Sequence, residues 1–296
     1  MDNNKIKSLI KILLLILPFY IPFIIFNIYP IFNAFAMAFY RVSLKGDKFI
    51  GLKNFERLIN DEIFWVAFKN TIIYALFSAL GIAISMILAS IIDFFIEGHE
   101  KIKRIFISIV LAAIVVTWVS LGMAWRWILG GIYPYTVKTL NNMLFGTRVR
   151  VKNPLLLPQT SLISVALITI WATLGYNMVL FIAGLRSIPK EFIEAARIDG
   201  ATNFEIFYKV VIPIMKPYIT FMVVTGFIGA FQIYDPVATL TQGGPYWTST
   251  SLVQYLVYTV MNWYDYGYGA AIGLLILTVV FILSIIQYKI IYKRIT

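Results

Sequence analysis

Long apolar runs alternate with shorter polar stretches along almost the whole chain. Each run reaches the roughly 20 residues that a helix needs to cross a bilayer. The runs predict six membrane-spanning helices, over about 12–40, 66–95, 105–129, 160–183, 218–235 and 270–288. The first run carries Pro18, Pro22 and Pro30, and Ala34-Phe35-Ala36 invites a cleavage-site reading. An apolar region of this length exceeds the about 7–15 residues of a signal-peptide core, so a retained, kinked first span is expected.

The polar stretches orient these spans. Lys5, Lys7 and Lys11 precede the first run, Glu97 to Arg104 is short and basic, and Lys289, Lys293 and Arg294 follow the last run. Residues 41–67 and 130–159 are longer and mixed in charge, and Asp235-Pro236 opens a third loop. The positive-inside rule then puts both termini in the cytoplasm and these three loops outside. The expected fold is an all-α, multi-pass protein of the cell membrane, one transmembrane domain over 1–296.

Composition supports this reading. Hydrophobic residues make up 60% and charged residues 13%, where a soluble domain carries roughly a quarter charged. The net charge of +11 is scattered at the ends of apolar runs, which fits membrane anchoring and not nucleic acid. With no cysteine, disulfides and thiolate metal sites are excluded. The one histidine, His99, sits in a polar loop, so a metal centre or histidine-based catalysis is not expected. No phosphate-cradling Gly-x-x-x-x-Gly-Lys-[Ser/Thr] occurs, nor a His-Glu-x-x-His pair. Asp93 and Asp235 lie toward the ends of their runs, whereas ion-coupled carriers need ionisable groups near the midplane.

The polar stretch from Ile188 to Pro217, between the fourth and fifth runs, reads as two short helices joined at a glycine. Pro189 suits the first helical position. Glu191 and Glu194 complement the positive end of the helix dipole. Gly200 is placed to end that helix. Thr202 and Glu205 have the spacing of a capping box, and Pro213 and Pro217 are expected to break the pattern before the next span.

Glu194-Ala195-Ala196, Gly200 and Ile212-Pro213 resemble the "EAA" loop of binding-protein-dependent ABC importer permeases, with Ile212 where the family usually has Leu. Gly51-Leu52-Lys53-Asn54-Phe55, Trp125-Arg126-Trp127, the Ala183–Pro189 run, Leu240-Thr241-Gln242-Gly243-Gly244-Pro245 and Gly267-Tyr268-Gly269-Ala270-Ala271 extend the resemblance over most of the chain. It points to the first permease subunit of the maltose and glycerol-phosphate type of sugar importers. The resemblance implies a type I permease fold with a cytoplasmic coupling loop over 186–217. It also implies a second homologous permease, two cytoplasmic ATPase subunits that bind ATP and Mg, and an external solute-binding protein, with no cofactor in this chain. Phe192, Glu194, Ala195, Ala196, Asp199, Gly200 and Pro213 would form the ATPase-coupling site, with Phe192, Ala195 and Ala196 on the docking face. Sugars are held by aromatic faces and a few polar groups, so Trp171, Tyr176 and Asn177 on the fourth span and Gln232, Tyr234 and Asp235 on the fifth are pathway candidates. Helix packing is their alternative role. The rival functions are an ion-coupled secondary carrier and a membrane-embedded enzyme or scaffold subunit.

Overall fold

A computed structural model describes residues 14–43, 46–95, 100–147 and 150–292. His99 and the basic residues Lys5, Lys7, Lys11, Lys293 and Arg294 lie outside the described residues. In chain order the elements are α1 (Leu14–Met37), β1 (Tyr40–Arg41), β2 (Lys48–Phe49), α2 (Lys53–Asn60), α3 (Glu62–Asp93), α4 (Glu100–Val115), α5 (Trp118–Phe145), α6 (Ser161–Arg186), α7 (Lys190–Ile198), α8 (Asn203–Phe231), α9 (Asp235–Leu240), α10 (Leu252–Asn262) and α11 (Tyr266–Tyr292). Five of these helices, α1, α3, α6, α8 and α11, are long and apolar enough to cross a membrane. The α4–α5 pair passes the same test together, bent by 101°.

That bend departs from the straight third span expected over 105–129. Its cause is local. Thr117 takes an extended conformation and caps α5, accepting a hydrogen bond from the Ser120 N–H, and a threonine in that role starts a new helix. The helix then runs on to Phe145 through a wider π turn at Ile128–Ile132, so much of the expected 130–159 loop is helical.

The expected proline break before the fifth span is also absent. α8 begins in the polar stretch and continues through Pro213 and Pro217 to Phe231. A π turn at Phe207–Val211 ends two residues before Pro213. Proline lacks an N–H and its ring presses on the preceding turn; the wider turn relieves that crowding where an α turn would not. The same device recurs in α1, with a π turn at Ile24–Ile28 before Pro30.

The described residues form two compact units. The first combines the chain up to Asp61 with Leu256–Leu277. Here Gly51 turns the chain with positive φ (+61°) into α2. The buried Asn54 amide donates to the carbonyls of Ala38 (2.8 Å) and Tyr40 (3.1 Å), fixing the end of α1 on α2. Arg57 pairs with Asp265 at 2.6 Å and lies 4.0 Å over the ring of Tyr268, whose hydroxyl donates to Asp61 at 2.5 Å.

The second unit covers Glu62–Tyr255 with Thr278 onward. In lipid, close helix approach relies on small residues and side-chain hydrogen bonds, and α3 supplies both. Ser85 donates to Gly81 (2.8 Å) and reaches the Leu174 carbonyl of α6 (3.4 Å), while Ser78 donates to the Gly226 carbonyl of α8 (3.3 Å). Asn70 donates to the carbonyls of Trp247 (3.2 Å) and Thr250 (3.0 Å), Tyr74 to that of Ser249 (2.7 Å), and Thr71 accepts the Leu252 N–H (3.0 Å). These bonds hold the 241–251 loop against α3. On α6, Gly175 lies directly against the Val110 carbonyl of α4.

Two stability outcomes follow from this packing. Gly175→Ala drives a methyl into the α4 backbone and costs about 1–3 kcal/mol, as overpacking does, read as a lowered melting temperature of the detergent-purified protein. Tyr74→Phe leaves the buried Ser249 carbonyl unpaired, at a cost of about 1–3 kcal/mol, and proteolysis speeds at the 241–251 loop. Unchanged melting for Gly175→Ala would show that the α4–α6 approach is looser than this.

Candidate functional site

Two regions of the second unit carry the candidate chemistry. The first is the polar stretch between α6 and α8. Pro189 is the N-cap of α7 and not its first helical residue, with an extended ψ of 131°. Glu191 lies in the first turn and Arg197 in the last, both favourable to the helix dipole. Gly200 has φ +80°. Its N–H bonds to the Arg197 carbonyl (3.1 Å) while the Ala201 N–H bonds to that of Ala196 (3.0 Å). That pair of bonds is a Schellman motif, and the left-handed residue it requires is the glycine.

The capping box then opens α8. The Glu205 N–H donates to the Thr202 hydroxyl (3.3 Å), and the Thr202 N–H donates to the Glu205 carboxylate (3.0 Å). Lys209 adds an ion pair at 2.9 Å. The Thr202 N–H first, then Lys209 and the Thr202 hydroxyl, hold the Glu205 carboxyl down to about 2. The turn between the helices is therefore fixed from both sides.

One face of this stretch belongs to the protein interior. Ile193, Ala196 and Ala201 pack on a buried cluster that includes Met178, Phe181, Ile188, Ile206, Val211 and Met215. Ala196 thus faces the chain's own core, which corrects its expected position on the docking face. The opposite face is exposed. It carries Phe192, Glu194, Ala195, Asp199, Gly200 and Pro213, together with Ile198 (86% exposed), Phe204 (71%) and Tyr208 (65%). These three apolar residues were missed in the sequence, although Phe204 and Tyr208 are four apart and lie amid charges, a signal of an outward apolar stripe. Beside this region Arg186, at the end of α6, pairs with Asp93, at the end of α3 (3.0 Å).

The second region is a cavity of about 520 Å³ bounded by α3, α5, α6, α8 and the Gln232–Pro236 turn. Tyr74, Phe77, Trp118, Tyr176, Phe221 and Tyr234 bring aromatic faces to it, and Ser78, Thr169, Thr173, Asn177, Thr225, Gln232 and Asp235 bring polar groups. Five of the six pathway candidates meet here. Trp171 does not: it stands edge-on to Trp125, ring centroids 5.4 Å apart. Asp235 is not the end of a span but begins α9, after α8 stops at Phe231. The contribution of α3 was not foreseen. Tyr74 and Ser78 are one helical turn apart, but the uniformly apolar run around them hides which face points inward.

Relatives give this geometry its context. The chain is 30% identical to the "Arabinooligosaccharides transport system permease protein AraP" of Bacillus subtilis, over 92% of this chain and 85% of that protein. It is 29% identical to the "Trehalose/maltose transport system permease protein MalF" of Thermococcus litoralis, over 98% of both. In three dimensions it resembles a chain of a bacterial alginate ABC transporter solved in complex with an alginate pentasaccharide-bound periplasmic protein. That likeness has TM-score 0.82 at 21% identity, over 97% of this chain and 95% of the other, and it shows a shared fold. Residues 101–296 match the family "Binding-protein-dependent transport system inner membrane component". The chain belongs to this family and is a multi-pass permease subunit of a binding-protein-dependent ABC importer, not an enzyme.

Proposed function

We propose that this permease imports a saccharide through the α3–α6–α8 cavity and takes its driving force from ATPase subunits docked on the α7 region. The cavity's pairing of aromatic faces with side-chain amides and hydroxyls carries the reading, because sugar rings stack on aromatic faces while their hydroxyls need fixed polar partners. The names of the relatives, which refer to arabinooligosaccharides and to trehalose and maltose, support the same class. In this reading a second homologous permease completes the pathway, and an external binding protein delivers the solute. Two cytoplasmic ATPases bind ATP and Mg. The termini of this chain and the 186–217 loop lie on the cytoplasmic side.

The exposed face of α7 and the start of α8 docks the ATPase. Phe192, Ala195, Ile198, Phe204 and Tyr208 provide its apolar contact, and Glu194 pairs with a base of the ATPase. Asp199 and Gly200 form the turn that holds the two helices in register. Pro213 stiffens the passage into the span.

The deciding experiment is ATP hydrolysis by the complex purified through a tag on this chain, with and without binding protein and sugar. Stimulated hydrolysis is expected, and a stable preparation without ATPase would defeat the reading. Glu194→Lys, Gly200→Pro and Ile198→Asp are each expected to cut sugar-stimulated hydrolysis by at least about tenfold, the scale of one lost charged or buried interface contact, while binding-protein docking persists. Asn177→Ala and Gln232→Ala are expected to raise the solute concentration for half-maximal transport several-fold, as loss of a hydrogen bond worth about 1 kcal/mol does. Unchanged solute affinity in both would move the site elsewhere.

A further inference from the structure

We infer that the cavity admits uncharged, hydroxyl-rich saccharides and rejects anionic ones, with Asp235 as the residue that enforces the choice. This rests on the reading of the cavity as the saccharide pathway and adds to it the charge class of the solute.

The first observation is charge. Among the described residues lining the cavity there is no lysine, arginine or histidine, and Asp235 is the one carboxylate. Asp235 lines that space and is exposed. A carboxylate or phosphate on a solute would meet a like charge inside walls of low dielectric, where repulsion is screened far less than in water.

The second observation is hydrogen-bond polarity. A hydroxyl has one hydrogen to give and two lone pairs to receive with. Thr169 gives its hydrogen to the Val165 carbonyl (2.8 Å), Thr173 to that of Thr169 (2.9 Å), Ser78 to that of Gly226 (3.3 Å) and Tyr74 to that of Ser249 (2.7 Å). The Thr169, Thr173 and Ser78 hydroxyls can therefore act toward a solute only as acceptors, while the buried Tyr74 hydroxyl is held by the 241–251 loop. With the Asp235 carboxylate these three hydroxyls give the wall its acceptors, and the Asn177 and Gln232 amides, the Trp118 indole and the Tyr176 and Tyr234 hydroxyls bring its donors. An uncharged sugar brings many hydroxyl donors and matches such a wall. A uronate or a phosphate brings negative charge and needs cations to pair with it, which the described lining lacks. Leaving such groups desolvated and unpaired is costly.

The test is uptake by the native complex, purified through a tag on this chain and placed in proteoliposomes with ATP and binding protein. The neutral probes are maltotriose, arabinotriose and trehalose. The anionic probes are mannuronate trisaccharide and glycerol 3-phosphate. Wild type is expected to import at least one neutral probe and each anionic probe at under about one-tenth of that rate. Asp235→Asn, nearly the same shape without the charge, and Asp235→Ser, a smaller polar side chain without the charge, are both expected to raise the anionic-to-neutral uptake ratio about tenfold. Anionic uptake equal to or above neutral uptake in wild type would overturn the inference while leaving saccharide import standing. An unchanged ratio in both folded variants would also overturn it, placing the selection in the binding protein. If no probe of either charge is imported by a complex whose ATPase responds to binding protein, the saccharide reading falls and this inference with it.

Discussion

Helices in hydrocarbon gain little from apolar contact with one another, because lipid tails are as apolar as leucine. Association has to come from close approach and from polar groups that would otherwise be unpaired in lipid. In the second unit that requirement falls on α3. Its Asn70, Thr71 and Tyr74 hold the 241–251 loop, Ser78 reaches α8 and Ser85 reaches α6. Glycines complete the approach: Gly81 lies against Ile170, and Gly226 against Ile82 and Ser78. One helix with a polar stripe thus fixes a loop and two neighbours. The cavity is the space those fixed elements leave between them, and its wall includes Tyr74, Ser78 and Gly226. The residues that hold the helices together are in part the residues a solute would meet.

This double use sets the character of the wall. A serine or threonine on a membrane helix gives its hydrogen to a carbonyl one turn back or on a neighbour, since an unpaired donor in lipid is expensive. Thr169, Thr173 and Ser78 obey that rule. What remains toward the cavity is lone pairs. The acceptor role of these helix hydroxyls is therefore a consequence of lining a cavity with hydroxyl residues on helices, and the donors come from the other lining residues, among them Asn177, Gln232 and Trp118.

The apolar runs, the Thr202–Glu205 capping box and the glycine stop at Gly200 were readable in the sequence because each is a local signal with a local cause. The continuous α8 was not, because a proline is read as a break unless the turn before it is known to be wide, and the π turn at Phe207–Val211 has no sequence signature. The bend at Thr117 was overlooked for the opposite reason: its capping signal is present but lies inside an apolar run where a straight span is the simpler expectation. Facing was the hardest part. In a run that is apolar all round, hydrophobicity does not separate lipid-facing from inward positions. Trp171 therefore looked like a pathway residue until its packing on Trp125 was seen, and Ala196 looked like a docking residue until its side chain was found on the core.

The cavity and the docking stretch are linked through the same two helices. On α6, Tyr176 and Asn177 line the cavity, and Phe181, Ile182 and Leu185 join the buried cluster below them. On α8, Val211 and Met215 belong to that cluster while Phe221 and Thr225 line the cavity. At 1.5 Å per residue the nine residues from Asn177 to Arg186 span about 14 Å, so the two regions are within a few turns of each other along continuous helix. Packed cores resist gradual deformation. Ile193 and Ala196 of α7 are seated in this same cluster, so a displacement of α7 moves the lower ends of α6 and α8 together. The turn at Gly200 is closed by the Schellman bonds on one side and the capping box on the other, leaving little slack to absorb the motion. In the proposed coupling, a push on the exposed face of α7 would reach the cavity through α6 and α8, which together with α3, α5 and the Gln232–Pro236 turn make its wall.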